Sequence, residues 1–267
     1  MGAALAACST SPPQPSPSTA PSLEVALVQQ RGDIAVDRVQ LRVTNTSAAS
    51  TTITAASFSS PVLDGSADWD AGRPTTLAPG RTVDLPVFLP AIRCTDAPEA
   101  PEATLTADGA RTTVPLSDDL DVLQRASATA CDRAELASVV QVTAAEAVAA
   151  PDRSITLRLA VEPARNGEGT ADLVALRGTV LLRFAAGSEA PLDVRVAAGD
   201  APSVVEVAVV PQRCDAHAIA EDKVGTLFDL VARVDGREVV VPLERSKDVA
   251  DALLVLTAQV CGLTPAG

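Results

Sequence analysis

The residues best equipped for chemistry fall in one stretch, 211–230, which reads PQRCDAHAIAEDKVGTLFDL. It holds Cys214, His217, which is the only histidine, and Lys223, one of two lysines among 21 basic residues. Asp215 and His217 lie two apart, and Glu221 and Asp222 follow within a loop's reach, so three carboxylates and an imidazole can converge on a divalent ion. Zinc takes histidine together with carboxylates, whereas calcium takes oxygen ligands. The spacing D-x-H-x-x-x-E-D matches no established metal motif, and a structural reading stands beside the metal one. In that reading Lys223 pairs with Asp215, Glu221 or Asp222, and His217 donates to a carbonyl, which fixes the loop after the disulfide. No cofactor is implied.

Nucleophilic catalysis has less to build on. Any Ser-His-Asp arrangement must use His217, and no serine occupies a G-x-S-x-G elbow. No catalytic residue is therefore assigned, and the chain is read as a non-enzyme. Asp68-Trp69-Asp70 could hold a sugar through the indole and acids, or simply pack the tryptophan on a sheet edge. Asn45-Thr46-Ser47 fits a glycosylation sequon and also a turn after a strand. Gly32, Gly167 and Gly169 have no phosphate-loop context.

The elements that must position the 211–230 stretch are strands. A mostly apolar run, 204–210, precedes it and another, 227–234, ends it, so it reads as a loop or a short turn of helix between two strands. Earlier, Val39, Leu41 and Val43 alternate with polar residues, the period of a half-buried strand. Strands follow at 51–58, 83–89, 103–106 and 112–116. Pro86 places the second of these at a sheet edge or bulge, because it cannot donate to a ladder. Asp108-Gly109 between alternating segments marks a hairpin. Ser117, followed by acidic Asp118 and Asp119, reads as the N-cap of a short helix ending near Cys131.

The second half repeats this plan. ITLRLAV is the counterpart of VQLRVTN, and VEVAVVPQRC of VDLPVFLPAIRC. Asp235-Gly236 and Asp108-Gly109 each precede a V-P-L triplet at the same distance, and Ser246 opens a closing helix that carries Val249, Leu253, Leu256 and Val260 and ends at Cys261 and Gly262. An internal duplication also selects the disulfides. Of three connectivities for four cysteines, only Cys94 with Cys131 and Cys214 with Cys261 gives both halves the same bridge. The first copy's counterpart of the 215–223 loop, TDAPEAPEA, lacks histidine and lysine, which keeps a functional reading of the second copy's loop open.

Short strands, close-set turns and one helix per repeat describe two tandem immunoglobulin- or fibronectin-like β-sandwiches in an all-β chain of 267 residues. The segmentation is 1–8 signal remnant, 9–22 tether, 23–134 and 135–263 sandwiches, and 264–267 tail. Aromatic residues make up only 2% of the chain, so β-branched and aliphatic side chains must fill the cores. A net charge of −13 without a basic cluster argues against nucleic acid.

Leu5-Ala6-Ala7-Cys8 resembles the lipobox of bacterial lipoproteins, which implies acylation of Cys8. The Pro/Ser-rich stretch behind it would reach about 40 Å as an extended tether. The segment VQLRVTNTS, the VDLPVFLP strand and PQRCDAHAIAEDKVGTLF together resemble uncharacterised secreted or lipid-anchored actinobacterial proteins. That resemblance implies the outer face of the cell membrane, with secretion as the outcome if Cys8 is not acylated. The resulting expectation is a non-catalytic envelope lipoprotein that binds a protein or cell-wall component. The alternatives are a metal-dependent module using Asp215, His217, Glu221 and Asp222, and a structural spacer.

Overall fold

The computed structural model describes residues 22–70, 72–94, 101–221 and 224–263. Cys8, nearly all of the tether, the 264–267 tail, Asp222 and Lys223 lie outside them.

The first half builds a sandwich from β1 (Leu23–Val28), β2 (Arg38–Asn45), β3 (Thr51–Ser59), β4 (Ser66–Asp68), β5 (Thr75–Leu77), β6 (Thr82–Phe88), β7 (Glu102–Ala107) and β8 (Ala110–Ser117). One face pairs β1, β2 and β6, and the other pairs β3, β7 and β8, with β4 and β5 on the free side of β3. The two faces are joined by β8, which leaves β7 and runs parallel to β1 at Leu116 and Ser117. Pro86 sits in β6 opposite Gln40, and β6 is the edge strand, where a missing N–H costs least.

After helix α1 (Val122–Val139) the second half uses β9 (Val140–Ala149), β10 (Ile155–Pro163), β11 (Thr170–Arg177), β12 (Leu182–Phe184), β13 (Glu189–Ala197), β14 (Ser203–Pro211), β15 (Asp229–Val234), β16 (Arg237–Pro242) and β17 (Glu244–Arg245). Its sheets are β12-β14-β10-β9-β17 and β13-β11-β15-β16. The pairing of β9, β10 and β14 repeats that of β1, β2 and β6. Likewise β11, β15 and β16 repeat β3, β7 and β8, and β17 lies parallel to β9 as the end of β8 lies parallel to β1. The alternation in β10 buries Ile155, Leu157, Leu159 and Val161, each at 1% exposure or less.

The likeness extends to side chains. Arg42 bonds Asp84 across β2 and β6 at 2.7 and 2.8 Å, and Arg158 bonds Glu206 across β10 and β14 at 2.9 Å, at equivalent register positions. In the two Asp-Gly hairpins Asp108 and Asp235 take left-handed φ values of 50° and 47°. Each carboxylate then accepts from the first residues of a neighbouring strand, Thr52 N and Thr170 N, both at 2.9 Å. The disulfides Cys94–Cys131 and Cys214–Cys261 close loops of 37 and 47 residues.

The two closing helices are not equivalent, which corrects the expectation of a short first helix starting at Ser117 and ending near Cys131. Ser117 stays in β8 because it pairs with Ala26. Asp118 does the capping instead, its carboxylate accepting from Val122 N at 2.7 Å and Leu123 N at 2.9 Å. The helix then runs on to Val139, across the expected junction at 134/135, and enters β9 with no intervening residue. Val122 and Leu123 belong to the first core, whereas Leu136 and Val139 belong to the second. By contrast α2 (Ala216–Glu221) and α3 (Lys247–Val260) stay with the second sandwich. Ser246 Oγ accepts from Val249 N to cap α3, and Val249 and Leu253 enter the second core.

Polar contacts reinforce the bridge. Arg237 at the head of β16 bonds Glu135 at 2.9 Å and Asp132 at 3.0 Å. Asp132 also accepts from Val240 N at 3.3 Å, which occupies the open edge of β16 that would otherwise offer a template for strand addition.

Candidate functional site

The 211–230 stretch forms a capped turn of helix. Cys214 is tied to Cys261 at the end of α3, with the Cα atoms 5.3 Å apart. Asp215 then turns the chain: its Oδ1 accepts from His217 N at 2.9 Å and Ala218 N at 3.3 Å, and its carbonyl accepts from Ile219 N. The Ala218 and His217 amides hold the Asp215 carboxyl below the usual carboxylate range, with Arg213 adding a favourable charge 3.8 Å away. Ile219, on the inner side of α2, enters the second core. An Asp followed by an apolar residue four positions on thus has a local structural use here, as a cap and a plug. Of the five expected functional residues, Asp215 and His217 are brought together by that cap. The side chain of Glu221, like Asp222 and Lys223, lies outside the description. Among the described residues no three His, Cys, Asp or Glu side chains converge on a point that could hold an ion.

The other sequence candidates have structural settings. Trp69 forms a bridge to Val87 beside the edge strand β6, donates its amide to Ala56 O at 2.9 Å and packs against the first core. Asn45 is fully buried, its amide donating to Ala49 O and Leu77 O and its oxygen accepting from Ser47. That burial puts the sequon asparagine out of reach of a glycosyl donor in the folded chain.

A site that sequence reasoning missed lies along α1. Arg125, Thr129 and Arg133 recur at intervals of four, so they share a helix face. Against this face stand Ile34, Leu89, Pro90 and Ile92 from the end of the first sandwich, with Pro242 from the second at one end, enclosing a groove of about 400 Å³. Arg133 faces two carboxylates, Asp37 at 3.9 Å and Glu244 at 3.8 Å, both beyond hydrogen-bond length, and its buried Nε has no hydrogen-bond partner. Arg125 donates to Leu120 O. The groove thus combines two arginines, the Asp37 carboxylate and apolar side chains. The only signal in the sequence was the four-residue spacing, and it was legible only to a reader who carried the helix beyond Cys131.

No protein-family model matches the chain, and no curated protein matches it. Among solved structures, the chain is similar to the CsuC–CsuE chaperone and tip-adhesion subunit complex from Csu pili of Acinetobacter baumannii. The identity is 11% and the TM-score 0.23, over 79% of this chain and 93% of that one. The exo-chitosanase CsxA of Amycolatopsis orientalis is 14% identical with a TM-score of 0.22, over 76% of this chain but 25% of that one. CBD12 from CALX1.2 is 9% identical with a TM-score of 0.22, over 74% and 73%. At these TM-scores the matches carry no argument about activity or partners.

Proposed function

We propose that this chain is a non-catalytic binding module of the cell envelope, carried outside the cytoplasm on a lipid at Cys8, which presents two tied sandwiches to a protein or wall component. The observation that carries the reading is the pair of disulfides, Cys94–Cys131 and Cys214–Cys261. Such bridges persist in oxidising compartments and are rare where thiols are kept reduced. The lipobox-like LAAC and the Pro/Ser-rich stretch behind it supply the anchor and reach. The helix shared by both cores supports a presenting role, since it holds the two sandwiches in one orientation.

Expression of the full-length gene with and without Cys8→Ser, followed by fractionation, tests the address. The wild type is expected in the membrane fraction and the variant in the medium; equal distribution of the two would sink the anchor. Capture from envelope extracts on immobilised wild type tests the binding role. Recovery of nothing beyond what an unrelated β-sandwich recovers would leave the spacer as the better reading.

A further inference from the structure

We propose that β14 takes up an extended, basic segment of a partner protein as an added strand along its open edge, with a lysine or arginine of that segment seated beside Glu206. This deepens the binding-module reading and rests on it.

Backbone direction alternates along a strand, so one bonded residue fixes the rest. Gln212 N donates to Leu181 O beside β12, which turns the even-numbered positions of β14 away from β10. Beyond the end of β12 at Phe184, the N–H and C=O groups of Val204, Glu206 and Ala208 therefore point at no strand. The counterpart of β14 in the first sandwich, β6, is built differently here. Asn45 N bonds Arg81 O and Leu89 N bonds Asp37 O, so the odd-numbered positions of β6 face β2 and Pro86 faces outward. Because Arg42–Asp84 and Arg158–Glu206 are equivalent pairs, Gln40–Pro86 matches Thr156–Ala208. The first sandwich thus deletes the edge-facing donor with a proline, and the second keeps it. Thr82 likewise gives way to Val204, which is 63% exposed. Other edges are guarded too. Pro115 lies in β8, β13 carries Pro191, a left-handed Asp193 and a cap on Ala197 N from Asp200 at 2.7 Å, and Asp132 occupies β16. An edge left without such a device is a template for another strand.

Side chains then select the ligand. Across the outer face Arg158 bonds Glu146 at 2.6 Å and Glu206 at 2.9 Å, so two carboxylates share one guanidinium, and Glu206, 57% exposed, ends the row at the open edge. A basic side chain directly opposite Glu206 on the added strand continues the alternation of sign. Its two neighbours point inward, where Val205 packs against the second core yet stays partly exposed, and small apolar side chains cover it. Two positions beyond the basic residue, an outward side chain lies beside Val204. Another molecule of this chain fits less well. Antiparallel pairing of β14 with itself that uses Val204, Glu206 and Ala208 sets Glu206 opposite Glu206, and like charges there are unfavourable. The fitting ligand is an antiparallel strand such as Thr-Val-Lys-Val-Val, in which the lysine meets Glu206 and the last valine meets Val204.

The test uses the full chain and a fluorescein-labelled peptide, Gly-Ser-Thr-Val-Lys-Val-Val-Ser-Gly, followed by fluorescence anisotropy. Saturable binding is expected, weakened about tenfold by Ala208→Pro, which gives β14 the edge that β6 has and which the matching place of Pro86 shows a sandwich to tolerate. With the protein unchanged, N-methylation of the peptide's lysine, whose N–H faces β14, should weaken binding as much. N-methylation of the valine before it, whose N–H faces away, should not. Glu206→Gln should weaken binding about threefold, as should added salt. Absence of saturable binding would overturn the proposal, as would equal binding by Ala208→Pro or by Glu206→Gln, or equal effects of the two methylations. A concentration-dependent dimer that Ala208→Pro dissociates, with no peptide bound, would also overturn it, by pointing to another molecule of this chain. If wild type captures an envelope protein and Ala208→Pro captures it equally well, the edge proposal fails while the binding module stands.

Discussion

Replacing Asp33 with asparagine isolates one buried carboxylate on which the first sandwich depends. Asp33 is 1% exposed in the turn before β2. Its carboxylate accepts from Gln40 Nε2 at 3.0 and 2.9 Å, Arg38 Nε at 2.6 Å and Gln30 N at 2.9 Å. Asparagine keeps one acceptor oxygen but turns an amide donor toward donors already in place. The loss of a charge-assisted bond and one unmatched buried donor together come to roughly 2–4 kcal/mol. The acid side of the experiment provides the control. Burial pushes the Asp33 carboxyl up, but hydrogen bonds from Gln40, the Gln30 amide and Arg38, with the Arg38 charge, outweigh it and hold the carboxyl below its ordinary value. A depressed folded-state value means the stabilisation is fully present above the unfolded value of about 3.9 and is lost as pH falls through the folded value. Urea unfolding followed by tryptophan fluorescence reads this sandwich selectively, because Trp69 is the only tryptophan and packs in it. Asp33→Asn should lower the midpoint by about 1–2 M at pH 7, and the gap should shrink below about pH 4. Equal midpoints at pH 7, or a gap that does not change down to acid, would refute the reasoning.

Other perturbations address the second sandwich and the loop. Serine at both Cys214 and Cys261 opens a 47-residue loop, and chain entropy puts the loss at about 4 kcal/mol, readable as a lower calorimetric transition for that half. Gly169→Ala should cost about 1–3 kcal/mol, because Gly169 sits at φ +92° and a Cβ there meets Asp235 Oδ2 at 2.6 Å. Gly199→Ala, at φ +86° in open space, carries the backbone strain without the clash and should cost less in the same melt. Zn²⁺, Ca²⁺ and EDTA should each leave the melting temperature unchanged; a saturable rise with either ion would revive the metal reading of the 215–222 loop, since ligand at a hundred times its dissociation constant adds about 2.7 kcal/mol.

The strands, the hairpins and the two bridges were legible because their signals are local or repeated: alternation in VQLRVTN and ITLRLAV, Asp-Gly before V-P-L, and a cysteine at matching places. The role of α1 was not, because a helix's apolar positions say which face is buried but not which core receives it. Ser117 failed as a cap for a similar reason. Its parallel pairing with Ala26 is a contact across most of the first sandwich, and nothing adjacent in the chain announces it. In the 211–230 stretch the chemistry-bearing residue types were evident, yet Asp215 has the same composition whether it caps a turn or holds an ion. Only the positions of the His217 and Ala218 amides show the first use.

The direct passage of α1 into β9 at Val139 and Val140 means that helix length sets the angle between the sandwiches. Adding one residue to the middle of α1 would swing everything after it by about 100° and push it about 1.5 Å outward. Arg133 would then turn away from Asp37 of the first sandwich, while Asp132 and Glu135, which lie beyond the insertion, would keep Arg237. A chain joined in this way has no linker residue between the helix and the second sandwich to absorb such a twist.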